Sequence, residues 1–120
     1  MTINVLGTHY ELEIDDLNRR DLGMNDGVCF VYDKRIVVRE PKYMDGGDDR
    51  SKVGRFRHVI RHELIHAFAM ESGAPYGDDE QLVDWIAAML PKIAATARAI
   101  EERMKVELLS ENRETDKNAI

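Results

Sequence analysis

The sequence predicts an α+β protein in which a small N-terminal antiparallel or mixed β-sheet packs on two following helices. Three observations predict it. Residues 1–40 alternate apolar and polar positions, residues 51–72 switch to three- and four-residue apolar steps, and a second helical pattern starts at Asp78. With 120 residues, 43% of them hydrophobic, the chain can build one compact domain, which excludes a multidomain enzyme. The expected boundaries are a single domain over residues 1–109 and a frayed tail over 110–120, where SENRETDKNAI has almost nothing to bury.

The strands come first. Ile3 and Val5 alternate with polar neighbours, Gly7-Thr8 interrupts, and Tyr10, Leu12 and Ile14 alternate with Glu11, Glu13 and Asp15, the pattern of a half-buried hairpin. Residues 15–27 (DDLNRRDLGMNDG) read as a polar connector. Val28–Tyr32 and Arg35–Arg39 are rich in β-branched and aromatic residues, and the break at Asp33-Lys34 suits a two-residue turn. Asp45–Asp49 is too polar and glycine-rich for core. It lacks the remaining ligands of a calcium loop and reads as a connector, with Asp48, Asp49 or Ser51 available to cap the next helix.

In the first helix Val53, Phe56, Ile60, Leu64 and Phe68 form the expected buried stripe, and Gly73 with Pro75 ends it. Asp78 with Gln81 has the form of a capping box for the second helix, where Leu82, Val83, Ile86, Met89, Leu90 and Ile93 continue an apolar pattern. Trp85 is expected to pack. Pro91 predicts a kink or boundary near Ala87–Leu90, and Ile100, Met104 and Leu108 share a side further on.

Charge and composition narrow the function. Seventeen basic against 23 acidic residues give a formal net charge of -6, the wrong sign for neutralising phosphates, so no nucleic acid partner is expected. No segment has the apolar length of a membrane span, and the start of the chain lacks the pattern of a secretory signal. The single Cys29 rules out an intramolecular disulfide or a cysteine-only zinc site, and with the missing signal it points to the cytoplasm.

Chemistry concentrates in His62-Glu63-Leu64-Ile65-His66, an HExxH sequence in the middle of the first helix. Histidines four apart rise by about 6 Å and differ by roughly 40° in azimuth, so both imidazoles reach one ion, and Glu63 stands beside them to take a proton from a bound water. A catalytic zinc, one per chain, needs a third protein ligand and an open position. His58 cannot supply it together with His66, because the two lie about 12 Å apart along a straight helix. His9 reads as a surface strand residue. Glu80 is the expected third ligand, with Asp79 and Glu71 as competitors: the turn at 73–77 sets the second helix antiparallel, and Glu80 and Asp84, four apart, share a face. One carboxylate then binds the ion while the other, Asp84, accepts a hydrogen bond from a ligand imidazole.

HExxH followed by Glu80-Gln81-Leu82-Val83-Asp84 resembles the gluzincin branch of the zincin metallopeptidases, whose active-site helix precedes a helix carrying ExxxD. The wider run RHELIHAFAMESG with DDEQLVDWIAAMLPKI is similar to small HExxH proteins of phages and prophages, distantly of the ImmA/IrrE type. The resemblance implies a minimal zincin-like fold and peptide-bond hydrolysis. Zinc would sit on His62, His66 and Glu80, Glu63 would be base and then acid, and Tyr76 or His58 would be the oxyanion donor. The substrate would be a peptide or protein, which could add to a sheet edge such as Ile36–Arg39, and the setting the cytoplasm of the phage's host. Two alternatives stand beside it: a zinc-binding module of the same fold that acts on a host or phage protein by contact alone, and, disfavoured by the acidic balance, a zinc protease working at DNA.

Overall fold

The computed structural model describes residues 1–17 and 22–118, apart from the side chains of 106, 108 and 110–118. The architecture is α+β. Strands β1 (Thr2–Val5), β2 (Thr8–Asp15), β3 (Gly27–Phe30) and β4 (Arg35–Arg39) are followed by a 3-10 turn at Pro41–Tyr43, helix α1 (Asp49–Ser72) and helix α2 (Glu80–Asn118). The sheet is mixed, in the order β1-β2-β4-β3. β1 and β2 pair antiparallel, as do β3 and β4, whereas β2 and β4 run parallel.

Both expected hairpins form, with shifted turns. The first turns at Leu6-Gly7, both at positive φ (52° and 91°), and Asn4 Oδ1 accepts from the Gly7 N–H at 2.7 Å. Thr8 is already in β2. In the second, Phe30 pairs with Arg35, so Val31–Lys34 all belong to the loop, and the expected strand positions Val31 and Tyr32 are lost to it. Lys34, at φ 54°, takes the left-handed position that closes the turn. The connector at 15–27 ends in β3, and its residues 18–21 lie outside the described ones.

β4 is the best buried strand. Ile36, Val37 and Val38 are each fully buried, because β4 has neighbours on both sides and cover on both faces. This corrects the expectation of an edge at Ile36–Arg39: the edges are β1 and β3. The core joins Val5, Tyr10, Ile36, Val38, Met44 and Ala67, with Phe56, Val59, Ile60 and Leu64 of α1 packed against it.

α1 starts where Asp48 Oδ1 accepts from the Ser51 N–H at 2.8 Å, one of the expected caps. It ends at Gly73, in the left-handed region at φ 72°, with the Ala74 N–H reaching back to Ala69 O at 2.9 Å. The buried face is Phe56, Val59, Ile60, Glu63, Leu64 and Ala67, which keeps Phe56, Ile60 and Leu64 of the expected stripe but not its ends, Val53 and Phe68. Each four-residue step advances about 40° around a helix, so three in succession carry Phe68 off the face that Phe56 occupies, whereas alternating threes and fours stay on it. Val53 and Phe68 are accordingly exposed.

α2 begins one residue later than the sequence pattern suggested. Asp79, not Asp78, caps it, accepting from the Leu82 N–H at 3.1 Å while its carbonyl receives the Val83 N–H at 2.9 Å. Val83 and Ala87 are buried, whereas Trp85, expected to pack, is 57% exposed. The helix runs through Pro91. Proline has no N–H for the carbonyl of Ala87, and that carbonyl instead accepts from Arg61 Nε at 2.8 Å. The helix therefore has no boundary at Pro91, but two compact units divide close by, between Ala88 and Met89. The first, Met1–Ala88, holds the sheet, α1 and the start of α2. The second, Met89–Ile120, contains the rest of α2, with Leu90, Ile93, Ile100 and Met104 about half exposed. Of the expected tail, residues 110–118 continue α2 and 119–120 lie outside the described residues. Among the described residues no helix is long and apolar enough to cross a membrane.

Candidate metal centre

The first unit carries a groove of about 840 Å³ between β3, the groove-facing side of α1 and the first turns of α2. Its floor includes His62, Glu63, His66 and Glu80. The turn after Gly73 sends α2 back along α1, so the Glu80–Asp84 face runs opposite the His58–His62–His66 face in antiparallel register. Glu80 meets His62 and His66, and one turn on Asp84 meets His58 and His62.

The contacts are short and directional. Glu80 Oε2 lies 2.9 Å from His62 Nε2, and Glu80 Oε1 lies 3.0 Å from His66 Nε2. The two Nε2 atoms are 3.2 Å apart. Behind them, His66 Nδ1 is 2.8 Å from the carbonyl of Gly77, and His62 Nδ1 is 3.2 Å from Asp84 Oδ1. The Gly77 carbonyl and the Asp84 and Glu80 carboxylates only accept, so each neutral imidazole faces an acceptor at both nitrogens with one proton between them; with that proton on Nδ1, Nε2 is a lone pair turned to Glu80. In that tautomer three acceptors, two imidazole nitrogens and a carboxylate, face one another. That arrangement repels itself unless a proton or cation stands between them, and both rings cannot hold a proton on nitrogens 3.2 Å apart.

These residues fit a zinc ion. Two ligands about 2.05 Å from one ion at the tetrahedral angle are about 3.3 Å apart, close to the separations found here. The donor set, two nitrogens and one carboxylate oxygen with each imidazole oriented from behind by an acceptor, is also zinc chemistry. His62, His66 and Glu80 could thus hold the ion, and Asp84 and the Gly77 carbonyl hold the rings. Of the competitors, Asp79 is taken up by the cap of α2, and Glu71 accepts from Lys34 Nζ at 2.7 Å and from the hydroxyl of Tyr10.

Glu63 adds a second observation. Its side chain is turned to the sheet side and only 5% of the residue is exposed, yet Oε2 has no hydrogen-bond partner. A carboxylate oxygen lies within 4.8 Å of ligand nitrogens of His62 and His66. Burial pushes the Glu63 carboxyl above the usual range, His62 and His66 pull it back, and the Glu80 charge raises it again. A buried carboxylate with one unpartnered oxygen, this close to the two imidazoles, is within reach of a proton from a water between them.

The two expected oxyanion donors fare differently. Tyr76 is half exposed and does not line the groove. His58 does line it, but its Nε2 lies 2.7 Å from Asp84 Oδ1, an interaction that holds the Asp84 carboxyl below its usual range. A neutral His58 spends its one N–H on that carboxylate.

Other groove residues escaped the sequence reading. A Cβ on Gly27 would fall 2.5 Å from Val59 Cγ1 and 3.1 Å from Glu63 Cγ, so only glycine lets β3 approach α1 at the level of Glu63. A Cβ on Gly77 would lie 3.3 Å from that of Ala69, and this close approach brings the Gly77 carbonyl to His66. A glycine at each position was the visible signal, but its neighbour across space was not. Asn25, Cys29 and Tyr32 also line the groove. Burial and the nearby Glu63 charge push the Cys29 thiol up to about 12.

No family model, no curated protein and no solved structure matches this chain.

Proposed function

We propose that this chain is a zinc-dependent metallopeptidase of gluzincin type, built on His62, His66 and Glu80 with Glu63 as general base and then general acid. The observation that carries the proposal is the convergence of the His62 and His66 Nε2 atoms on the Glu80 carboxylate beside a buried, unpartnered Glu63 oxygen. Zinc, when bound, supplies Lewis acidity and a water acidified toward neutral pH. The chain's own residues do the rest. Glu63 takes the water proton and later delivers it to the leaving amine, and its raised proton affinity suits both directions. Asp84 and the Gly77 carbonyl fix the imidazole tautomers, and His58 anchors Asp84. The substrate is an extended peptide, for which β3 is the sheet edge beside the groove. The single cysteine and the likeness to phage-encoded HExxH proteins support a setting in the cytoplasm, that of the host for a phage protein.

A second reading, a zinc-binding module that acts by contact alone, is favoured by the state of the two expected oxyanion donors: Tyr76 lies off the groove and His58 is engaged with Asp84. One experiment separates the two. Purified wild type and Glu63→Gln are analysed for zinc and assayed on an unstructured protein substrate. The peptidase reading expects about one zinc per chain in both and a loss of hydrolysis of about 100-fold or more in Glu63→Gln. Zinc in both with no hydrolysis by the wild type leaves the binding module, and no zinc in either overturns both readings.

A further inference from the structure

The antiparallel register of the two helices repeats. α1 carries histidines at 58, 62 and 66, two overlapping pairs with four-residue spacing, and α2 carries carboxylates at 80 and 84 with the same spacing. One turn of this ladder is the centre described above. The next turn is built from the same residue types: His58 Nε2 stands 2.7 Å from Asp84 Oδ1, and His62 Nδ1 stands 3.2 Å from that oxygen on the other side. Ligand atoms of His58, His62 and Asp84 all fall within 4.8 Å of one another. The His58 and His62 ring centroids are 6.4 Å apart, against 4.9 Å for His62 and His66, so the second turn is the more open of the two.

We infer that His58 and Asp84 form a second, weaker seat for a divalent cation such as zinc, one helical turn from the first and joined to it through His62. Neutral His58 reaches a cation through Nε2 once its proton shifts to Nδ1, an exchange between the two tautomers of one ring. Asp84 contributes a carboxylate oxygen, and solvent fills the remaining positions, since Asp84 is 61% and His58 29% exposed at the side chain. His62 cannot serve both seats fully. With its Nε2 lone pair turned to the first seat it keeps the proton on Nδ1, so the second has two committed ligands where the first has three. Fewer ligands and greater exposure make it the weaker seat.

The second seat competes for Asp84. A cation there draws Oδ1 away from the His62 Nδ1–H, and loss of such an outer hydrogen bond costs about 10- to 100-fold in affinity for the inner ion. Excess zinc therefore loosens the inner zinc and slows turnover. This effect on turnover rests on the peptidase reading, whereas the binding does not.

Zinc titration of the chelator-stripped full chain, followed calorimetrically against a competing chelator, tests the seat. Wild type takes up a second equivalent at least about 100-fold more weakly than the first. His58→Gln, whose amide N–H can still donate to Asp84, loses the second equivalent and keeps a first that remains tight. His66→Ala loses the tight equivalent and keeps the weak one. Wild-type uptake that stops at one equivalent overturns the inference, as does a second equivalent that survives in His58→Gln. If the tight equivalent is missing from wild type while a weak, His58-dependent one is present, the inference stands and the peptidase reading falls.

Discussion

The two flanks of α1 treat their ionisable groups in opposite ways. On the groove side His58, His62 and His66 each have an acceptor partner on α2 or in the turn before it, and those partners hold the rings in place. On the sheet side, one residue away, Glu63 is buried among Val59, Gly27 and Cys29 with an oxygen that nothing satisfies. A group kept for stability would be paired or replaced, because an unmet buried acceptor costs about 1–3 kcal/mol. The histidine flank is therefore organised and the glutamate flank is held in readiness. On the peptidase reading, that difference separates the residues that position from the one that reacts.

The largest effect comes from breaking the organised flank. His62→Ala, His66→Ala or Glu80→Ala each removes one of three proposed ligands and is expected to weaken zinc binding by more than about 100-fold. Asp84→Asn removes only an outer partner and stays within the 10- to 100-fold range. Competition titration measures all four. Equal losses for Glu80→Ala and Asp84→Asn would put Glu80 outside the inner set.

Next is the packing that presses Glu63 against β3. Gly27→Ala places a methyl 2.5 Å from Val59 Cγ1 and 3.1 Å from Glu63 Cγ. Overpacking of this kind costs about 1–3 kcal/mol, read as a lower urea midpoint. An unchanged midpoint would mean that β3 can lift from α1 freely, and the buried state of Glu63 would lose its structural cause.

The HExxH spacing, the third carboxylate at 80 and its companion at 84 were legible in the sequence, because helical geometry and one chain reversal suffice to bring them together. The mixed sheet beneath them was legible only as strands: alternation shows which residues face the core but not that β2 pairs parallel with β4 or that β3 is the edge. The depth of Glu63 was hidden for a related reason. A charged residue among Val59, Ile60 and Leu64 breaks the apolar stripe, and the reading from Val53 to Phe68 passed around it. The Arg61 contact was likewise invisible: Pro91 announced an orphaned carbonyl at Ala87, but not the side chain 26 positions earlier in the chain that satisfies it.

Glu63 can also be tested as a cost to the fold. Its proton affinity is raised in the folded state, mainly by burial, so the folded chain binds that proton more tightly than the unfolded chain does. Stability is therefore lost as pH rises from the ordinary glutamate range through the folded value, and regained on acidification. Glu63→Gln removes this dependence. In metal-free protein it should be more stable than wild type by about 1 kcal/mol at pH 7, with the gap closing toward pH 4. Thermal unfolding at both pH values measures it. If Glu63→Gln proves less stable than wild type at pH 7, the carboxylate has a satisfying partner in solution, and the contrast between the flanks disappears.

The smallest effect sharpens the same contrast through a bystander. Cys29 lies on β3 in the groove wall, and its thiol is pushed up to about 12, first by burial and then by the Glu63 charge. Only the thiolate alkylates readily, so at pH 8 the thiol should react with iodoacetamide far more slowly than an ordinary cysteine near 8.5. Neutralising residue 63 removes the second cause and leaves the first. Glu63→Gln should speed alkylation of metal-free protein by less than about tenfold, while the thiol stays slow in absolute terms. Mass spectrometry of the modified fraction over time reads both rates. No acceleration would mean that the charge of Glu63 does not reach Cys29, either because residue 63 is already protonated at pH 8 or because its carboxylate points away from β3.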